Sequence, residues 1–222
     1  PGTINVIQAK IFSEQKMIRI AAASFLIAMI SGLIAVVYRQ AWALIPVGGV
    51  SMLAGIFYTA GPRPAAYLGL GETLVIVFFG PVTVAGTYFI QALTFSTPVI
   101  WAGLACGLIC SGILIINNYR DYDNDLRCNK RTLPVRLGRS FAKWEYLTMW
   151  VIASLIPFII FRLTGKPGVL LGSLTGLAAI PLIQTVLRTT ESAALNQALA
   201  NNGKLLVLFS LLFSFGWLIP LP

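Results

Sequence analysis

Asn117, Asp121 and Asp125 stand four residues apart in the segment Asn117-Asn118-Tyr119-Arg120-Asp121-Tyr122-Asp123-Asn124-Asp125. On a helix, positions four apart drift by only about 40° per step. A helix through this segment would therefore put all three on one face and point Asp123 away. Two carboxylates one turn apart, with a side-chain amide below them, make an oxygen-rich site. Hard oxygen ligands suit Mg²⁺, which takes one or two carboxylates and completes its shell with substrate phosphates. Arg120 lies inside the motif, and Arg127, Lys130 and Arg131 follow within two turns. These cations suit the binding of a diphosphate. Read from residue types alone, the segment also fits a solvated loop of mixed charge.

A second candidate is Tyr58-Thr59-Ala60-Gly61-Pro62-Arg63-Pro64, continuing to Tyr67, Gly69 and Glu72. It supplies an aromatic hydroxyl at Tyr58 and a cation at Arg63. The same residues also read as a Gly/Pro turn between two apolar stretches. Glu72 fits equally as a charge favouring a helix N-terminus.

The elements that position these residues are membrane spans. Of the 222 residues, 57% are apolar and only 10% charged, and the mean hydropathy is +0.83. A soluble domain carries roughly 25% charged residues, so the composition predicts an all-α, polytopic transmembrane bundle forming a single domain over residues 1–222. Seven stretches approach the roughly 20 apolar residues that cross a bilayer: Ile18–Tyr38, Trp42–Tyr58, Thr73–Ala92, Pro98–Asn118, Trp144–Phe161, Gly168–Leu187 and Lys204–Ile219. The second is short and interrupted by Pro46, Gly48 and Gly49. Gly80-Pro81 in the third predicts a kink, because proline removes a backbone hydrogen bond. The small residues around Cys106 and Cys110 predict close helix packing.

The charge of +9 reads as sidedness rather than as affinity for nucleic acid. Arg39, Arg162 and Lys166 fall on one side of the seven spans, and the other thirteen Lys and Arg fall on the opposite side. The positive-inside rule makes that side cytoplasmic. Both chemical segments lie on it, and the expected location is the bacterial inner (cell) membrane. The chain has no histidine, which excludes Ser-His-Asp and Cys-His catalysis and His-ligated metals. No Asp, Glu, Lys or Arg occupies a span centre, which counts against ion-coupled transport.

Taken together, the two segments resemble the UbiA-type intramembrane prenyltransferases, and most closely the branch acting on 1,4-dihydroxy-2-naphthoate. The resemblance rests on Tyr58–Pro64, Tyr67–Glu72, Phe79-Gly80-Pro81-Val82, Gly86-Thr87-Tyr88, Asn117–Asp125, Lys130-Arg131-Thr132-Leu133, Val135–Gly138 and Leu195-Asn196. It implies a nine-helix fold with two Asp-rich motifs, after helices two and six. The seven spans then correspond to helices three to nine. The first two helices and the first motif have no counterpart here, and Pro1-Gly2 resembles the point just after that motif. The resemblance therefore predicts that the 222-residue chain alone is inactive. Tyr58 and Arg63 match the family's loop with a shifted spacing, and Cys128-Asn129 stands where small residues or glycine are usual.

The implied reaction is Mg²⁺-dependent transfer of a polyprenyl group from its diphosphate to 1,4-dihydroxy-2-naphthoate, with decarboxylation, giving demethylmenaquinone. Asp121, Asp125 and Asn117 would hold the metal. Lys130, Arg131, Arg120 and Arg127 would hold the diphosphate, with Arg63 beside them, and the candidates to face the allylic cation are Tyr58, Tyr67, Tyr88 and Tyr119. The alternatives are another aromatic acceptor (4-hydroxybenzoate, homogentisate or the phytyl-transfer branch) and a membrane transporter or lipid-binding protein without catalysis. The partners are a polyprenyl diphosphate, an aromatic acceptor and membrane lipid, and the oligomeric state is left open.

Overall fold

The structure, a computed structural model, describes residues 13–59 and 64–219. Among them there is helix and turn but no strand. The chain divides into two compact units, Pro1–Leu53 and Ala54–Pro222.

The first unit holds α1 (Glu14–Arg39) and the start of α2 (Leu44–Thr59). Ser13 caps α1, its Oγ accepting from the Lys16 amide, and Gln40 ends it in the left-handed conformation. Ile18, Leu26, Ile27 and Ile34 of α1 are exposed. In water each such side chain would forgo about 1.5–3 kcal/mol of burial, whereas in lipid the exposure carries no such penalty.

The second unit begins within α2. A short 3₁₀ turn, Ala65–Tyr67, leads to α3 (Gly71–Val77). Gly69 between them has φ +68, a conformation that favours glycine. A wider π-type turn, Phe78–Val82, joins α3 to α4 (Thr83–Ala92), and the irregular backbone is at Gly80 beside Pro81. The kink lies where the Gly80-Pro81 pair predicts it. Next come α5 (Thr97–Arg120), α6 (Tyr122–Arg127), α7 (Leu133–Leu137) and α8 (Arg139–Thr164). The sixth predicted span is segmented into a 3₁₀ stretch Pro167–Ser173, α9 (Leu174–Ala178) and α10 (Ile180–Arg188). Finally α11 covers Ser192–Leu218.

Among the described residues, six helical stretches are long and apolar enough to cross a membrane, with Leu44–Thr59 a shorter seventh. With the family membership established below, this makes the chain an integral membrane protein. The largest departure from the predicted spans is at α11, which starts at Ser192 rather than Lys204. Its first twelve residues are too polar to read as a span. They form helix because Leu195, Ala198 and Asn202 recur on one face and are buried.

In this second unit α5 is the most enclosed span, with α3, α8 and α11 packed on it. Small residues permit the closest approach. A methyl group added at Gly107 would meet the Ile76 carbonyl oxygen at 2.2 Å, and one at Gly103 would meet Pro81 Cα at 2.8 Å. The contact between α5 and the kinked third span is thus made by glycines one turn apart. Cys106 beside them packs against the core. Ile109, Ile115, Tyr146, Ile156 and Phe209 are among the fully buried side chains that complete it.

Candidate active site

The Asp-rich segment sits at the end of α5, but the helix does not run through it. Asp121 has φ −89 and ψ 7 and separates α5 from α6. This corrects the expectation of one continuous helix. The four-residue step survives the break, because the Asp121 amide donates to the Asn117 carbonyl (3.0 Å) and the Asp125 amide to the Asp121 carbonyl (2.8 Å).

Each carboxylate is held by a different cation. Arg120 grips Asp121 through two parallel bonds, Nε to Oδ1 at 2.8 Å and Nη2 to Oδ2 at 2.7 Å. The same guanidinium donates to Asn117 Oδ1 (2.7 Å) and to Asn196 Oδ1 on α11. A planar five-donor group is needed for such a four-bond junction. Asp125 is turned inward and almost fully buried, and Lys130 Nζ donates to both of its oxygens at 3.1 and 3.2 Å. Burial pushes the Asp125 carboxyl above the usual aspartate range, while the Lys130 ammonium pulls it back. The turn returning Lys130 to Asp125 is closed by Asn129 at φ 53. Asparagine tolerates this left-handed conformation better than most residues, which explains why it stands in for glycine there.

The other predicted residues are distributed differently. Arg127 and Arg131 are exposed and join none of the ion pairs formed among the described residues. Tyr58 closes α2 with its hydroxyl beside Gly71, 3.5 Å from where a methyl group on that residue would sit. Arg63 lies outside the described residues. Asp123 points away as expected and pairs with Arg139.

Glu72 is the residue whose place the sequence left open. It is buried in the first turn of α3, and its Oε1 accepts from Asn118 Nδ2 at 2.7 Å. The helix N-terminus reading was correct but incomplete. A lone glutamate opening an apolar run was the available signal. Glu145, on α8, is a further acidic side chain with one buried, unpaired oxygen, as is Glu72 Oε2. Tyr119 donates to the Thr189 carbonyl (3.2 Å) and Lys143 donates to that of Leu187, so both moor the end of α10 beside the site.

The donor set offered by Asn117, Asp121 and Asp125 is all oxygen with two negative charges. That fits Mg²⁺ sharing its shell with phosphate oxygens better than a closed protein cage. Among the described residues no three His, Cys, Asp or Glu side chains cluster to hold an ion by themselves.

The pattern of the UbiA prenyltransferase family matches residues 5–212 of the chain. This chain belongs to that family. Two bacterial proteins named 1,4-dihydroxy-2-naphthoate octaprenyltransferase are similar to it. The one from Escherichia coli (strain K12) is 34% identical over 97% of the chain and 72% of its own length. The one from Mycobacterium tuberculosis is 33% identical over 82% of the chain and 60% of its own length. A human relative, UbiA prenyltransferase domain-containing protein 1, is 29% identical over 78% of the chain and 49% of its own length. The chain thus spans between about half and three quarters of these relatives. In the second unit the Arg120 junction with Asp121 and the Lys130–Asp125 pair lie on the same turn-linked segment.

Proposed function

We propose that this chain carries an aromatic prenyltransferase site of menaquinone synthesis, moving a polyprenyl group from its diphosphate to 1,4-dihydroxy-2-naphthoate with loss of the carboxylate. The observation that carries this reading is the pairing of each carboxylate with a cation: Asp121 with Arg120, and Asp125 with Lys130. The names of the bacterial relatives support the acceptor.

Asn117, Asp121 and Asp125 would hold Mg²⁺. When bound with the diphosphate, the metal would supply Lewis-acid stabilisation of the leaving group. The chain's own residues do the rest. Arg120 and Lys130 hold the carboxylates apart and oriented before substrate arrives. Lys130 would turn toward the diphosphate and bind it as its charge grows, while Arg120, bonded also to Asn117 and Asn196, would meet it in place. Arg127 and Arg131, exposed and outside the ion pairs formed among the described residues, add positive potential at the entrance. The apolar helices exclude water from the allylic cation, and Tyr58 offers it a π face. We place the site on the cytoplasmic face of a bacterial inner membrane, because thirteen of the sixteen Lys and Arg lie on its side of the spans.

The test is an assay of membranes containing the gene product with octaprenyl diphosphate, 1,4-dihydroxy-2-naphthoate and Mg²⁺, run beside 4-hydroxybenzoate and homogentisate. Demethylmenaquinone from the naphthoate alone is expected. Prenylation of one of the other acceptors instead would reassign the branch, and no prenylated product with any acceptor would overturn the reading.

A further inference from the structure

The groove between α10 and α11 is lined by none of the residues placed in the prenyl-transfer site. It encloses about 440 Å³, and its lining combines Leu182, Ala198 and Leu205 with Thr185, Asn201 and Lys204. Asn201 and Lys204 continue a ladder that starts at Gln197, at i, i+4 and i+7 on α11. Gln197 Nε2 donates to Asn201 Oδ1 at 3.1 Å. The ladder rises about 10 Å along the helix axis. Asn196, the α11 residue bonded to Arg120, lies on another face, about 140° around the helix from Asn201.

Lys204 is exposed and joins none of the ion pairs formed among the described residues. It also marks where α11 changes character. Ser192–Gly203 carries two pairs of adjacent amides, whereas Leu205–Leu218 is apolar apart from two serines. That apolar stretch is about 21 Å long, shorter than a hydrocarbon core of about 30 Å. A lysine at the border of such an apolar stretch can carry its ammonium on a long side chain toward the headgroups. Lys204 and Asn201, three residues apart, line the groove together.

We propose that the α10–α11 groove holds an anionic phospholipid, its phosphate among Lys204, Asn201 and Thr185 and an acyl chain over Leu182 and Leu205. The charge balance selects this occupant. One ammonium neutralises one phosphodiester. A prenyl diphosphate would bring more negative charge than the single cation can meet, and no lining residue is a carboxylate able to share a metal with it. The apolar floor, between two helices that face lipid, selects an amphiphile over free phosphate. The inference rests on the groove and is independent of the acceptor or of catalysis.

The test is native mass spectrometry of the purified gene product in detergent, titrated with dioleoylphosphatidylglycerol and separately with dioleoylphosphatidylcholine. The wild type should bind the phosphatidylglycerol more tightly. K204Q should weaken that binding roughly five-fold, the effect of one lysine at a membrane surface. K166Q, at the other end of the bundle, should leave it unchanged. Equal affinity for the two lipids, or an unchanged K204Q, would overturn the proposal. So would displacement of the lipid by millimolar inorganic phosphate, which would show a free-anion site. Lysine-dependent displacement by geranyl diphosphate without Mg²⁺ would also overturn it, showing a substrate site.

Discussion

Asn118 Nδ2 donates to Glu72 Oε1 at 2.7 Å, joining two buried side chains 46 residues apart. The bond ties the first turn of α3 to the last turn of α5, immediately beside Asn117. It holds the Asp-rich segment against the third span at the point where α5 ends. Replacing Glu72 by alanine leaves the buried Asn118 amide without its acceptor, a loss of about 1–3 kcal/mol. E72A should therefore melt several degrees below the wild type in a thermal-shift assay, while E72Q, which keeps the carbonyl acceptor, should lie between them. An E72A variant with wild-type melting would show that this bond does not hold the two spans together.

Asp121 and Asp125 are each required if they ligate the metal. D121A and D125A should each reduce prenyl transfer by the gene product at least a hundredfold, and excess Mg²⁺ should not restore it. Product formation and diphosphate release, measured in parallel, would both fall. Full activity in both variants would remove these residues from the site.

Arg120 acts on Asp121 and Asn196 together, so its geometry matters as much as its charge. R120K keeps the cation but cannot make the paired bonds to Asp121 while also reaching Asn117 and Asn196. Activity should drop roughly tenfold or more, with the Mg²⁺ concentration for half-maximal rate displaced. N196A should shift the same Mg²⁺ dependence in the same direction by a smaller factor. A fall in rate with unchanged Mg²⁺ dependence in both variants would count against a positioning role.

Lys130 and Asp125 form a pair that is sheltered on the carboxylate side, with side-chain exposures of 22% and 5%. K130M leaves a buried carboxylate uncompensated, which costs up to roughly 3–5 kcal/mol. D125N in the same chain removes that charge. The K130M/D125N double variant should therefore recover part of the melting temperature lost by K130M alone. Additive losses would mean that the two side chains do not interact.

Gly107 packs against the backbone of the third span, where an added methyl group would meet the Ile76 carbonyl at 2.2 Å. G107A must push the spans apart and should lower thermal stability by about 1–3 kcal/mol or more. Gly86, where no atom lies within 4 Å of such a methyl group, is the matched control. Equal melting of G107A and G86A would show that the contact is looser than described.

Much of this was already decided by the chain itself. Apolar length determined the spans, because a segment either matches the thickness of a bilayer or does not. The Gly80-Pro81 pair determined the kink, because proline lacks the donor a helix needs there. The four-residue spacing of Asn117, Asp121 and Asp125 marked the oxygen-rich segment, since hydrogen bonding between residues four apart persists even across the break at Asp121. Other features depend on residues far apart in sequence and so were not legible. Polar composition hid the first twelve residues of α11, whose helix is secured by burial of Leu195, Ala198 and Asn202. Lys130 and Arg120 read as diphosphate ligands; their ion pairs with Asp125 and Asp121 are local, and it is the bond from Arg120 to Asn196 on α11 that only packing shows. Glu72 read as a helix-terminal charge, and its bond to Asn118 exists because α3 and α5 lie side by side. Local spacing fixes which groups share a turn, and with it the Arg120–Asp121 and Lys130–Asp125 pairs, but the bonds from Arg120 to Asn196 and from Asn118 to Glu72 are set by where separate helices pack.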